Sequence, residues 1–119
     1  MTNPISIESA EHYTWGGICD GWHLVRTAEL SVIQERVPPG GRETRHLHSR
    51  ARQFFFILGG EAVLEVAGER HILPAQTGLE IAPGVAHQFR NESDHDVVFL
   101  VISQSPSQSD RQPAEPGGA

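Results

Sequence analysis

The chain alternates short runs rich in Val, Ile, Leu and Phe with clusters of Pro, Gly and small polar residues. Each run is a strand candidate. WHLV (22–25) is the first clear one, and LSVIQERV (30–37) follows. The latter stops at Pro38-Pro39-Gly40-Gly41, where proline fixes φ and glycine then permits positive φ. ETRHLHS (43–49) is a polar extended segment, and QFFFIL (53–58) is a strand closed by Gly59-Gly60. AVLEV (62–66) and RHIL (70–73) flank Ala67-Gly68-Glu69, which predicts a hairpin. LEIA (79–82) ends at Pro83-Gly84. HQFRN (87–91) and DVVFLVIS (96–103) flank Glu92-Ser93-Asp94, which predicts a second hairpin. Residues 1–20 are mixed, with a turn at Trp15-Gly16-Gly17. No stretch keeps a helical period over about ten residues. Many short strands with turn signals at this spacing predict an all-β sandwich or barrel.

The 119 residues make room for one domain, and an apolar content of 38% suits a globular core. That domain is expected over residues 1–103. Residues 104–119, QSPSQSDRQPAEPGGA, hold no apolar residue larger than Ala and are expected to form a disordered tail. Charge excludes more than it suggests. The net charge of −6 is scattered, with no basic footprint for nucleic acid and no basic amphipathic helix for a membrane surface. No apolar run approaches the ~20 residues of a membrane span. The start has no charged-then-apolar leader pattern, and the single Cys19 makes no internal disulfide, so a cytoplasmic location is expected. Cys19 itself reads as a buried, inert thiol. All nine basic residues are Arg, which excludes lysine Schiff-base chemistry, pyridoxal phosphate attachment and a P-loop. No GxSxG, GxGxxG, HExxH or CxxC pattern occurs.

The chemistry-bearing residues are histidines. His46 and His48 are one residue apart, so on a strand both imidazoles project from one face. Converging imidazoles suit a nitrogen-loving metal, although the same spacing fits two exposed histidines on a loop. Gln53, Phe55 and Ile57 share one face of the next strand, while Phe54 and Phe56 share the other. His87 opens a later strand with Phe89 and Asn91 on its side. Glu35 and Arg36 point to opposite faces, and parity alone does not say which is inward. Tyr13 offers an acid/base group or simple packing. Phe55, Ile57, Phe89 and Trp22 are candidates for a substrate pocket, and Trp15 is a further aromatic that suits one. His12, His23, His71 and His95 read as structural or exposed.

Taken together, these residues resemble the cupin superfamily. Its first motif is Gly, five residues, HxH, three or four residues, Glu, six residues, Gly. This chain reads Gly40, five residues, His46-Leu47-His48, four residues, Gln53, six residues, Gly60. The end of the second motif matches Pro83-Gly84, two residues, His87, three residues, Asn91. The resemblance spans about residues 30–103. It implies a conical jelly-roll barrel, the cupin-type double-stranded β-helix, that pairs as a homodimer. It also implies a divalent metal ion (iron, manganese, zinc or nickel) held by His46, His48 and His87.

Two departures stand out. Gln76 and Ala82 occupy positions where the second motif has Gly and Pro. Gln53 stands where the family has Glu, a change that touches the chemistry. A neutral amide oxygen is a weaker donor than a carboxylate. As a fourth ligand it leaves a doubly positive site that attracts anions, acts as a stronger Lewis acid and holds its ion less tightly. Alternatively Gln53 stays off the metal and leaves a position open, or marks a cupin without metal. The resemblance implies a metal-dependent enzyme of dioxygenase, isomerase or lyase type on a small, anionic organic molecule. A non-catalytic ligand-binding or sensor barrel is the other reading, and a bare interaction scaffold a third. A titratable group beside the metal, with room for substrate, separates the first two.

Overall fold

The structure is a computed structural model that describes residues 2–106 and 110–114. Among the described residues eleven strands follow one another: β1 Glu11–Trp15, β2 Cys19–Arg26, β3 Ser31–Val37, β4 His46–His48, β5 Arg52–Gly59, β6 Glu61–Val66, β7 Glu69–Pro74, β8 Gly78–Ile81, β9 His87–Arg90, β10 Val97–Gln104 and β11 Arg111–Pro113. They form two antiparallel sheets, ordered β1-β2-β3-β10-β5-β8 and β11-β4-β9-β6-β7. This is the all-β jelly-roll barrel. Among the described residues, no helix is long and apolar enough to cross a membrane.

The core follows from strand alternation. Phe55 and Ile57 of β5 and Val97, Phe99 and Val101 of β10 face inward from the six-stranded sheet. Leu64 of β6 and Phe89 of β9 answer from the five-stranded sheet. Phe89 stacks on Phe99 with centroids 4.0 Å apart, and Phe55 stacks on both at 6.0 and 6.1 Å. These three rings fill the barrel beneath the histidines. Cys19 is buried in the same core, and burial pushes its thiol pKa up, as expected of an inert cysteine.

Two turns carry the family motifs in different ways. Gly60, at φ 83°, lies so close to the Asp96 backbone that any Cβ would collide with it. Gln76 stands where the second motif has Gly, and it adopts φ 65°, a conformation that favours glycine. Its amide donates to the Ile57 carbonyl at 2.7 Å, and this bond holds the turn. Gln76→Gly should therefore raise stability by about 0.5 kcal/mol, the relief of left-handed strain less the extra entropy of glycine. The urea midpoint measures it, and a lower midpoint would refute the account.

Three expectations are corrected. First, the mixed N-terminal segment contains β1, whose residues pair with β2 in the register Tyr13↔Gly21. Second, Glu92-Ser93-Asp94 does not close a hairpin. β9 belongs to the five-stranded sheet and β10 to the six-stranded one, so the segment crosses between layers. The Asn91 side chain holds that crossing, donating to the Val37 and His95 carbonyls and accepting from Ser93. Third, the segment from residue 104 is not structureless throughout. Gln104 ends β10, Asp110 is buried, and β11 pairs with β4 in the register Arg111↔His48 and Pro113↔His46. The rest of the expected tail, 107–109 and 115–119, lies outside the described residues. The Ala67-Gly68 hairpin between β6 and β7 forms as expected.

Candidate metal centre and cavity

His46 and His48 sit on β4, and His87 opens β9 directly opposite His46. Strand alternation turns both β4 imidazoles into the barrel, where they are 4% and 5% exposed. Each of the three residues offers a ring nitrogen within 4.8 Å of the other two.

Hydrogen bonding fixes the tautomers. The His46 Nδ1–H donates to the Thr44 carbonyl at 2.8 Å, that of His87 to the Val85 carbonyl at 3.0 Å, and that of His48 to Asp110 Oδ1 at 3.0 Å. With the proton on Nδ1, the lone pair of each neutral ring lies on Nε2. The Nε2 of His87 is buried and finds no hydrogen-bond partner among the described residues. An orphaned buried acceptor costs about 1–3 kcal/mol, and a cation relieves that cost. Burial also lowers the pKa of His46 to about 3 and of His87 to about 4, so both rings stay neutral and able to ligate.

Gln53 supplies a second orphan. Its Nε2 donates to Ser103 Oγ at 3.1 Å, and this leaves Oε1 buried without a partner among the described residues. Three imidazole nitrogens and one amide oxygen, of which His87 Nε2 and Gln53 Oε1 are buried without a partner among the described residues, suit a divalent ion. The residues present therefore fit a metal.

His46, His48 and Gln53 form one wall of a cavity of about 330 Å³. Phe55, Ile33 and Val101 give it an apolar floor. Tyr13, Trp15, His23 and Glu35 close it from the six-stranded sheet, and Glu43, Arg26 and Arg111 complete the lining. Glu35, rather than Arg36, points inward; Arg36 pairs with Asp20 and Asp96 on the other face. Tyr13, Gly21 and Glu35 lie in one row across β1, β2 and β3. The Tyr13 ring crosses directly over Gly21, where a Cβ would strike it, and its hydroxyl donates to Glu35 Oε2 at 2.7 Å.

The two cavity carboxyls have unusual proton affinities. Burial raises the pKa of Glu35 to about 7, against the opposing effects of the Tyr13 bond and the Arg111 charge. Burial, and then the charge of Glu35, raises that of Glu43 to about 8, although Glu43 Oε1 accepts from the Phe89 amide at 3.0 Å. Burial and the neighbouring Glu35 also push the Tyr13 phenol up, so it remains a proton donor to that carboxylate. Such groups concentrate at reactive sites.

The candidate pocket residues divide. Phe55 lines the cavity. Ile57 and Phe89 do not line it; they lie deeper, 0% and 1% exposed, as packed core. Trp22 lies on the opposite face of β2 from His23 and packs on His12. His23, expected to be structural or exposed, lines the cavity. Arg111, missed by the sequence reading, reaches it from β11, and Asp110 lies beside it. Only the sequence's own Asp-Arg pair inside the tail marks that segment as capable of pairing with a buried histidine.

Fold and donor set together define a small barrel with three histidines that could hold a metal ion, and comparison with known proteins gives the family. The chain belongs to the cupins: the Cupin_2 model, described as a cupin domain, matches residues 33–103. It is similar to "Polyketide synthase CurC" of Streptomyces cyaneus, at 32% identity over 73 residues, which cover 60% of this chain and 47% of that protein. The match thus spans about half the length of this relative. Among solved structures, the polyketide cyclase RemF of Streptomyces resistomycificus superposes with a TM-score of 0.84 at 15% identity, covering 97% of this chain and 87% of that one. A predicted oxalate decarboxylase of Thermotoga maritima gives 0.80 at 17% identity, covering 87% of this chain and 100% of that one. At such identities these structures speak for the fold.

Proposed function

We propose that the protein is a metal-dependent enzyme whose substrate is a small acidic molecule with enolisable carbonyl groups. The observation that carries this reading is the pairing of a three-histidine donor set with two cavity carboxyls of raised proton affinity. His46, His48 and His87 would hold the ion through Nε2, with Gln53 Oε1 as a fourth donor. A bound divalent ion would supply Lewis acidity toward a substrate carbonyl oxygen.

The protein's own groups then divide the proton work. Glu35, whose carboxylate accepts the Tyr13 hydroxyl, is the base, and Glu43, raised by burial and by the charge of Glu35, is the acid. Glu35 takes a proton from the carbon between two carbonyls, Tyr13 steadying its carboxylate by the hydrogen bond. The enolate carbon attacks another carbonyl carbon of the same chain, and Glu43 protonates the alkoxide so formed. Loss of water completes the condensation. The polyketide synthase and polyketide cyclase among the similar proteins favour a poly-β-ketone as the carbon skeleton. The acid/base groups beside the donor set favour catalysis over a passive sensor barrel.

The test combines metal content and turnover. Protein prepared with iron, manganese, zinc or nickel should hold close to one equivalent of one ion by elemental mass spectrometry, and His48→Ala should hold little. The metal-loaded protein should hasten the loss of diketone absorbance of 3,5,7-trioxooctanoate, and Glu35→Gln should slow this about 100-fold. Equal metal content in wild type and variant, or a rate unchanged by Glu35→Gln, would overturn the reading.

A further inference from the structure

Arg111 is the one cavity residue contributed by β11, which lies outside the stretch matched by the family model. Its guanidinium is held at the histidine wall. Nη2 lies 3.4 Å from the Thr44 carbonyl and 3.3 Å from His46 Nδ1. That ring nitrogen already donates to the same carbonyl, so it carries a proton and accepts nothing from Arg111. The guanidinium has five N–H donors, and the Thr44 carbonyl takes one. Among the described residues no ion pair engages Arg111, whereas Arg26, the other cavity arginine, pairs with Glu11.

The guanidinium shares its cavity with groups that do not pair with it. Arg111 lines the same cavity as Glu35, Glu43, His46 and His48. A guanidinium that is partly open to solvent, lines a half-apolar cavity and has donors to spare is a receptor for an anion.

We propose that Arg111 binds the carboxylate of the substrate, and that β11 thereby orients the molecule's acidic end relative to the histidine wall. The carboxylate takes a paired hydrogen bond from the guanidinium, and the carbonyl-bearing chain extends across the cavity toward Glu35. This deepens the reading above and rests on it for the carbon skeleton, but not for the anion.

The experiment is calorimetric titration of metal-loaded wild type, Arg111→Met and Arg111→Lys with three probes: malonate, 3,5-dioxohexanoate and neutral pentane-2,4-dione. Metal content is measured in every sample. Arg111→Met should weaken both carboxylates about 30-fold, the worth of a charge-assisted bidentate contact, and change the dione by less than about twofold. Arg111→Lys should recover part of the loss. Unchanged carboxylate binding in Arg111→Met, an equal loss for the neutral dione, or no measurable carboxylate binding to wild type would each overturn the proposal. If malonate shows the Arg111 dependence but 3,5-dioxohexanoate binds no better than malonate, the anion subsite stands and the poly-β-ketone reading falls.

Discussion

Asp110→Ala is expected to destabilise the protein by about 3 kcal/mol and to weaken metal binding about 10–100-fold. Asp110 is 7% exposed. One carboxylate oxygen accepts the Arg50 and Ala51 amides at 2.7 and 2.8 Å, and the other accepts His48 Nδ1–H at 3.0 Å. Burial alone would raise the pKa of this carboxyl. The two amide bonds and the His48 bond outweigh that and hold it below the usual carboxylate range. Alanine leaves all three donors without that acceptor, and the Ala51 amide is itself in a buried residue. The His48 ring also loses the partner that fixes its proton on Nδ1, so its Nε2 is no longer held ready for an ion. Because the folded pKa is lowered, the contribution of Asp110 is full above the ordinary aspartate range and fades only as pH falls through the folded value. The loss in the variant should therefore be uniform from about pH 6 to about pH 9. Urea unfolding of the metal-free protein and competitive metal titration measure the two effects. A chain ended after residue 106 removes the same acceptor together with β11 and its pairing to β4, and should lose at least as much as Asp110→Ala. Wild-type stability in both would show that β11 contributes nothing to the barrel.

That strand also marks the boundary of what the sequence reveals. Most strands from β2 to β10 announce themselves as short runs of Val, Ile, Leu or Phe between turn residues, and the polar β4 is betrayed by its alternating histidines. β11 reads Arg-Gln-Pro and buries no apolar side chain. It is fixed by the Asp110 carboxylate and by backbone bonds such as Ser49 N to Asp110 O at 3.2 Å and Ala114 N to Arg45 O at 3.0 Å. Composition does not register hydrogen bonds made to distant residues. The false hairpin at Glu92-Ser93-Asp94 has a similar origin. Turn residues report that the chain bends, while the sheet each flanking strand joins is a long-range outcome.

The site shows the same division between local and non-local information. The one-residue gap in His46-Leu47-His48 places two imidazoles on one face, and the β4–β9 register adds His87. Period two gives the face of a side chain but not its depth. Ile57 shares a face with Phe55 yet lies below the cavity, and Phe89 shares a face with His87 yet packs against Phe99. Parity likewise left Glu35 and Arg36 interchangeable. Their choice is settled across strands, by Tyr13 reaching over Gly21 on one face and by Asp20 and Asp96 drawing Arg36 to the other. The titratable groups of the cavity were thus present in the sequence, but only the fold gathers them.

Glu43→Gln should make the metal-free protein more stable than wild type at alkaline pH, by on the order of 2–4 kcal/mol near pH 9, and about as stable near pH 5. The carboxyl is raised from an ordinary 4.5 to about 8, chiefly by burial and next by the charge of Glu35. A folded pKa above the unfolded one means that the native state binds the proton more tightly. The corresponding stability is complete below the unfolded pKa and is lost as pH rises through the folded pKa. Wild type should therefore weaken between about pH 4.5 and about pH 8, with Glu35 adding to the decline up to about pH 7. Glutamine removes the Glu43 share of that decline, because it has no charge to bury. Its amide oxygen still accepts the Phe89 amide, so the contact that anchors the side chain survives. The groups facing Glu43 set the limits of the effect: Glu35 on β3 amplifies it, whereas Arg111 on β11 and the Phe89 amide on β9 reduce it. Unfolding midpoints collected every half unit of pH should diverge steadily between wild type and variant as pH rises. Parallel curves would mean that Glu43 meets enough water to ionise freely. A carboxyl that ionises freely near pH 4.5 would no longer serve as the proton donor in the proposed condensation.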